Sequence, residues 1–228
     1  MKTLLSLSGG MDSVTLLGHL IEIGYEVETV GFTYGAKHNL FENQMASKAA
    51  KYYDVPYEII NLESIMASFK SDLLMSGGNI PEGHYTDESM SATVVPGRNI
   101  IFLSILAGLA WSRKAQHIAI GIHQGDHAIY PDCRIEFFDA MDKAIMAGTD
   151  SHVSIIAPFL EGDKGDIVIR GMQIKVPYEY TRTCYKHQEL ACGKCGSCVE
   201  RLEAFEKAGV RDPIPYATET TDDASGSL

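Results

Sequence analysis

Residues 6–15 read SLSGGMDSVT. The apolar run TLLSLS (3–8) leads into the two glycines and has the length of a strand. Beyond them, apolar residues fall at Val14, Leu16, Leu17, Leu20, Ile21 and Ile23, close to helical spacing, so 13–23 is expected to be a helix. Gly24 can close it, because glycine accepts the left-handed conformation that ends many helices. Strand, glycine turn and helix in that order bring backbone N–H groups to a point where an anion can sit. The common nucleotide loop GxxxxGK[ST] adds a lysine for the phosphates. Here there is none, and Asp12 stands in the turn instead.

Gly9 and Gly10 allow close backbone approach. The helix N-terminus adds a partial positive charge, and Ser8 and Ser13 add hydroxyl donors. Asp12 repels a phosphate unless a cation stands between them, which points to Mg²⁺ bridging carboxylate and phosphates. The competing role is a plain turn in which Asp12 or Ser13 only caps the helix. The place directly behind a strand favours the anion cradle.

Outward from this turn, VETVGFTY (27–34) reads as a strand, 39–53 as a helix and VPYEIINL (55–62) as a strand. A βαβαβ run implies an α/β fold with a doubly wound, mostly parallel sheet. Residues 66–97 break the alternation with glycine, serine and turn residues, and a loop of that length is expected to be functional or mobile. A helix over 99–113 is apolar nearly all round and is expected to be buried; it is also compatible with a homodimer. HIAIGI (117–122) is a strand, 134–147 a helix, VSIIAP (153–158) a last strand and 199–207 a C-terminal helix. The division that follows is an α/β domain over 1–180, a cysteine-rich segment over 181–211 packed on it, and a disordered tail over 212–228.

The chain has 228 residues and a formal net charge of −11. Four acids and no bases lie in the last 17 residues, which leaves −7 on 1–211. Nucleic-acid binders cluster Lys and Arg to displace counterions, so direct contact with tRNA or DNA is not expected. No apolar run reaches the ~18 residues of a membrane span, and the N-terminus does not have the form of a signal peptide. The expected setting is the cytoplasm.

Four of the five cysteines fall in the order Cys184-x7-Cys192-x2-Cys195-x2-Cys198. Overlapping CxxC turns with Gly193 and Gly196 can close around one ion, and four thiolates with no open position suit a structural Zn²⁺. The spacing alone leaves an iron–sulfur cluster open.

SGGMDS (8–13) resembles the pyrophosphate loop of the N-type ATP pyrophosphatases, which cleave ATP to AMP and pyrophosphate. With VVPGRN (94–99), YPDCR (130–134) and TCY…CGKCGSC (183–198) running on to Arg201, the chain resembles the 7-cyano-7-deazaguanine synthase (QueC) family up to about residue 210. The resemblance implies an adenine nucleotide alpha hydrolase-like fold and an ATP-dependent C–N ligase. Its substrates would be 7-carboxy-7-deazaguanine and ammonia, and its cofactors ATP, Mg²⁺ and Zn²⁺. It puts nucleotide contacts on Leu7, Ser8, Gly9, Gly10, Met11, Asp12, Ser13, Val14, Thr15, Leu16 and Leu17, with Tyr34 after the second strand. Asp12, Ser13, Arg98 and Lys164 become the catalytic candidates. Asp126, Tyr130, Asp132 and Arg134 become the substrate candidates, Asp126 and Asp132 as acceptors for the N–H donors of a deazaguanine edge, with Asp132 as N-cap of the helix over 134–147 its competing role.

The chain departs from the family pattern at Ala36, where glutamine is usual, and across GIHQGDHAIYPDCR (121–134). Two other functions stand beside the leading one within the superfamily: a paralogue that passes a deazapurine to another acceptor, and a tRNA-thiolating pyrophosphatase. A non-catalytic zinc-ribbon module on a nucleotide-binding scaffold is the alternative from another class.

Overall fold

Strands β1 (Lys2–Ser6), β2 (Glu26–Thr33), β3 (Tyr57–Asn61), β4 (His117–Ala119) and β5 (Ser154–Ile156) pair in the order β3-β2-β1-β4-β5, every pair parallel. The protein is described by a computed structural model over residues 1–84, 88–123, 125 and 129–217. β1 lies in the middle, with Leu4 beside Glu28 and Ile118, and Leu5 beside Thr29 and Ala119. The order reverses there: the chain leaves β1 toward β2 and later returns on its other side as β4. In such sheets ligands bind at the carboxyl ends of the strands on either side of that reversal.

Alternation along β1 sends Leu4 and Leu5 to opposite faces. Leu5, Leu16, Leu17, Ala46, Val168 and Phe205 share one core with helices α1 (Met11–Glu22), α2 (Asn39–Tyr52), α6 (Lys164–Gln173) and α7 (Gly196–Lys207). Leu4, Val30, Leu103, Leu106, Ile118 and Ile145 share the other with α4 (Arg98–Ser112) and α5 (Ile135–Gly148). A one-turn helix, α3 (Glu63–Met66), follows β3. Each fully buried leucine contributes about 1.5–3 kcal/mol. The two cores hold the rims of the sheet, and so the loops at its carboxyl end, in fixed positions.

Three expectations change. Helix α6 has no counterpart among the helices expected from the sequence. Two glycines and three β-branched residues lower its intrinsic propensity. A capping box overrides this: Asp163 accepts from the Asp166 N–H and the Asp166 side chain accepts from the Asp163 N–H. Second, α4 is not buried all round, since Ile100 and Trp111 are 48% and 47% exposed while Leu103 and Leu106 face the sheet. Third, Met90–Ser112, 23 residues long, contains an 18-residue stretch with the mean hydropathy, 1.5, of a membrane span. Gly97 interrupts it with φ +65, leaving α4 about 22 Å long, short of a ~30 Å hydrocarbon core.

Residues 212–217 are not the disordered stretch expected of them. Asp212 and Tyr216 are buried, and residues 218–228 lie outside the described residues. Arg201, fully buried on α7, donates from Nε to Asp212 Oδ2 at 2.6 Å and from Nη2 to Asp212 Oδ1 at 2.8 Å. Its Nη1 reaches Thr181 Oγ1 at 2.7 Å and Thr183 Oγ1 at 3.1 Å, and Tyr216 donates to Asp212 at 2.6 Å. Removing one partner of such a buried pair costs about 3–5 kcal/mol, because the other charge is left unpaired. Asp212→Ala is therefore expected to lower the melting temperature by roughly 10 °C, checked by calorimetry. A shift near zero would mean that water replaces the lost carboxylate.

Candidate active site

The turn between β1 and α1 is built by short contacts. Gly10 N–H donates to Ser8 Oγ at 3.1 Å, the Ser13 hydroxyl donates to Gly10 O at 3.1 Å, and the two serine oxygens lie 3.1 Å apart. Gly9 has φ +86, and a side chain there would begin 2.3 Å from Glu42 O, so α2 packs directly on the turn. No side chain caps α1, so neither Asp12 nor Ser13 takes the capping role. Asp12 Oδ1 is buried without a hydrogen-bond partner among the described residues. Its Oδ2 faces Lys164 Nζ at 3.5 Å and His123 Nε2 at 3.9 Å. A carboxylate oxygen with a vacant lone pair beside an anion cradle fits a hard divalent cation.

Opposite this turn lie Tyr34, Arg98 and Tyr130. All share one cavity of about 170 Å³ with Ser8, Asp12 and Lys164. Arg98 Nη1 donates to the Tyr34 hydroxyl at 3.3 Å. Desolvation works against its charge, yet Tyr34, Tyr185 and Asp132 outweigh it and hold its pKa well above the ordinary value. Burial pushes the Tyr34 hydroxyl up to about 12, so it stays a protonated donor at neutral pH. Tyr130 shares its hydroxyl with Thr93 Oγ1 at 2.9 Å and Tyr185 at 3.3 Å.

Gly10, Arg98, Lys164 and Ser197 also line this cavity, and they stand at the N-terminal ends of α1, α4, α6 and α7. Each end presents unpaired N–H groups and about half a positive charge. A chain with net charge −11 thus keeps a locally positive cleft where the strands end. Neither a cluster of lysines nor a basic stripe is needed for that.

The other expected residues divide. Leu7 lines the cavity, whereas Val14, Leu16 and Leu17 are fully buried in the core beneath the turn. Thr15 Oγ1 donates to Met11 O at 2.7 Å and meets Tyr178 Oη at 2.9 Å, which anchors α1. Asp132 Oδ2 accepts the Asn99 N–H at 2.9 Å, at the first turn of α4, and Asp132 is absent from the cavity wall. Neither expected role is seen: α5 has no side-chain cap, and Asp132 ties down the first turn of α4 instead. Arg134 is exposed at the start of α5, and Asp126 lies outside the described residues. Ala36 lines a separate groove beside α2, away from the cavity.

Several cavity residues lie outside the catalytic, nucleotide and substrate candidates. The Arg182 guanidinium carbon lies 4.4 Å from the Phe41 ring centroid, and the Arg182 backbone N–H donates to Gly9 O at 2.8 Å. Thr183, Tyr185 and Ser197 reach the cavity because they flank Cys184 and Cys198. His38, 2% exposed, places Nε2 3.2 Å from Glu42 Oε2.

Cys184, Cys192, Cys195 and Cys198 are all buried, with their sulfurs within 4.8 Å of one another. Cys192 Sγ accepts from the Cys195 N–H at 3.2 Å and the Lys194 N–H at 3.4 Å, and lies 3.9 Å from Cys198 Sγ. A tetrahedral ion with 2.3 Å bonds to sulfur needs edges of about 3.8 Å. The set fits one such ion, whereas a cubane cluster would hold its thiolates farther apart.

The model of the family described as queuosine biosynthesis protein QueC matches residues 2–209. The 7-cyano-7-deazaguanine synthase of Caldicellulosiruptor saccharolyticus is 46% identical over 219 residues, covering 96% of this chain and 97% of its own. That of Methanoregula boonei is 46% identical over 216 residues, covering 95% and 99%. Among solved structures, the NMN synthetase of Francisella tularensis aligns with a TM-score of 0.52 at 14% identity, over 92% of this chain and 77% of that one, a likeness of fold alone. The pyrophosphate-type turn, the four-cysteine knuckle and a family match running nearly end to end agree, and the chain belongs to the QueC family of queuosine biosynthesis proteins.

Proposed function

We propose that this protein converts 7-carboxy-7-deazaguanine and ammonia to 7-cyano-7-deazaguanine at the expense of ATP, through adenylated intermediates. The observation that carries this is the cavity itself: an anion turn with the vacant Asp12 Oδ1 and the Lys164 ammonium on one side, and the Arg98–Tyr34 pair on the other. Adenylation needs two anions brought together, a nucleotide triphosphate and a carboxylate. The four helix ends and two cations make that approach favourable.

The carboxylate oxygen attacks the α-phosphorus and pyrophosphate leaves. Ser8, Gly10 and Ser13 would receive the β and γ phosphates, and Mg²⁺ on Asp12 would offset their charge. Arg98 and the Tyr34 hydroxyl would hold the substrate carboxylate in line. Ammonia then displaces AMP from the acyl carbon and loses a proton, giving the amide. A second attack, by the amide oxygen on another ATP, again releases pyrophosphate. Loss of AMP and a proton from that adduct leaves the nitrile. The apolar wall at Phe102, Ile120 and Ile122 would keep water from the acyl carbon. The cysteine knuckle would carry Zn²⁺ as a structural ion, since no fifth position is open among its buried thiols. Such a thiolate site suits the reducing cytoplasm.

The test is direct. With 7-carboxy-7-deazaguanine, ammonium, Mg²⁺ and ATP, mass spectrometry should find the nitrile, with AMP and pyrophosphate as the nucleotide products. ADP and phosphate as the main products would overturn the adenylate route. Pyrophosphate release that yields neither amide nor nitrile from ammonium would favour the paralogue with another acceptor.

A further inference from the structure

We propose that Glu200, a residue with no role in the function set out above, is a positioning residue that holds the Lys164 ammonium off Asp12. This inference rests on that function, since it assigns a partner to one of its cations. Lys164 Nζ lies 2.5 Å from Glu200 Oε2 and 3.5 Å from Asp12 Oδ2. All three side chains are largely buried, at 6%, 13% and 20% exposure for Lys164, Glu200 and Asp12. A lysine is a point charge on a flexible four-carbon stem, so its position is set by whichever carboxylate draws it more strongly. With Glu200 present, the ammonium pairs with Glu200 and only leans toward Asp12. Without it, the same ammonium closes on Asp12 and competes with the cation that Asp12 is shaped to receive.

The placement of Glu200 is itself fixed. It stands two residues after Cys198, in the opening turns of α7, beside the fully buried Arg201 that ties α7 to Thr181, Thr183 and Asp212. Its other oxygen, Oε1, closes on Gly125, where a side chain would begin only 2.6 Å from it. The Gly125 N–H donates to His123 Nδ1 at 3.1 Å, which turns His123 Nε2 toward Asp12. Glu200, Lys164, Asp12, His123 and Gly125 thus form a ring that links the cysteine knuckle to the phosphate turn. The ring joins α1, α6, α7 and the segment after β4, which are far apart in the chain.

The experiment is a double-mutant cycle on the full-length, metal-loaded protein with Glu200→Gln, Lys164→Met and both together. Binding of a non-hydrolysable ATP analogue with Mg²⁺ is read by calorimetry, and kcat/KM for ATP by pyrophosphate release. Glu200→Gln is expected to raise the Mg²⁺ concentration needed for half-maximal binding and to lower kcat/KM about tenfold, with the melting temperature held. The double variant should match Lys164→Met within about twofold, because the lysine is the charged partner of Glu200, and Gln keeps the shape that packs on Gly125. If the two losses multiply, or if Glu200→Gln leaves the Mg²⁺ dependence unchanged, the positioning role is overturned. Should Glu200→Gln melt low, Glu200→Asp replaces it in the cycle. That variant keeps the charge and should lose less than Glu200→Gln, and an equal or larger loss overturns the proposal. A wild-type protein that binds no analogue would defeat the ATP assignment itself, a result distinct from any pattern among the variants.

Discussion

Asp12→Asn is expected to cut ATP turnover by about a hundredfold or more while leaving the fold in place. The amide has the shape of the carboxylate, so packing around α1 is unchanged. What disappears is the charge that would hold Mg²⁺ beside the phosphates. Asp12 caps no helix and its Oδ1 makes no hydrogen bond among the described residues, so the native state loses little. Lys164 keeps Glu200 as its partner at 2.5 Å, which limits the damage to the ring. The measurement pairs AMP and pyrophosphate release with a melting curve. Turnover that survives while the melting temperature falls would make Asp12 a structural residue.

Cys192→Ser is expected to act on the fold first and on activity through it. Cys192 Sγ is the hub of the knuckle, accepting backbone N–H groups of Lys194 and Cys195. Structural zinc supplies about 10–16 kcal/mol of apparent binding energy in small domains, and a hydroxyl is a poor substitute for one of four thiolates. Forfeiting several kcal/mol in a protein of this size should lower the melting temperature by on the order of 10 °C. Metal analysis should fall from one zinc per chain toward none. The cavity wall should loosen too, since Thr183, Tyr185 and Ser197 flank the ligands, and Gly83 N–H donates to Lys194 O at 3.0 Å across the knuckle. Iron with a visible charge-transfer band in the wild type, or no metal at all, would sink the zinc assignment.

Much of this architecture could be read from local pattern. Strand and helix periodicity gave the βαβαβ start because burial on a parallel sheet imposes it residue by residue. The SGGMDS turn was legible because its function depends on backbone shape and on neighbours within a few residues. The cysteine knuckle was legible for the same reason, its four ligands lying within 15 residues of chain. Even so, helix α6 escaped notice: the Asp163–Asp166 capping box was the available signal, and its glycines masked it.

What the sequence determined by itself is therefore the local chemistry: an anion turn with an aspartate, four clustered thiols with metal-ligand spacing, and alternation for a parallel sheet. What only the tertiary structure decided is which distant groups share a site. Glu200 meets Lys164 across 36 positions, and Arg98 meets Tyr34 across 64. Asp132, 33 positions from Asn99, turned out to spend a carboxylate oxygen on the start of α4. Charges and hydrogen bonds act over a few ångströms, and nothing in local spacing encodes which remote side chain will fall within that range. The two cores set it, by fixing how the helices lie on the sheet and hence which of their N-terminal ends converge.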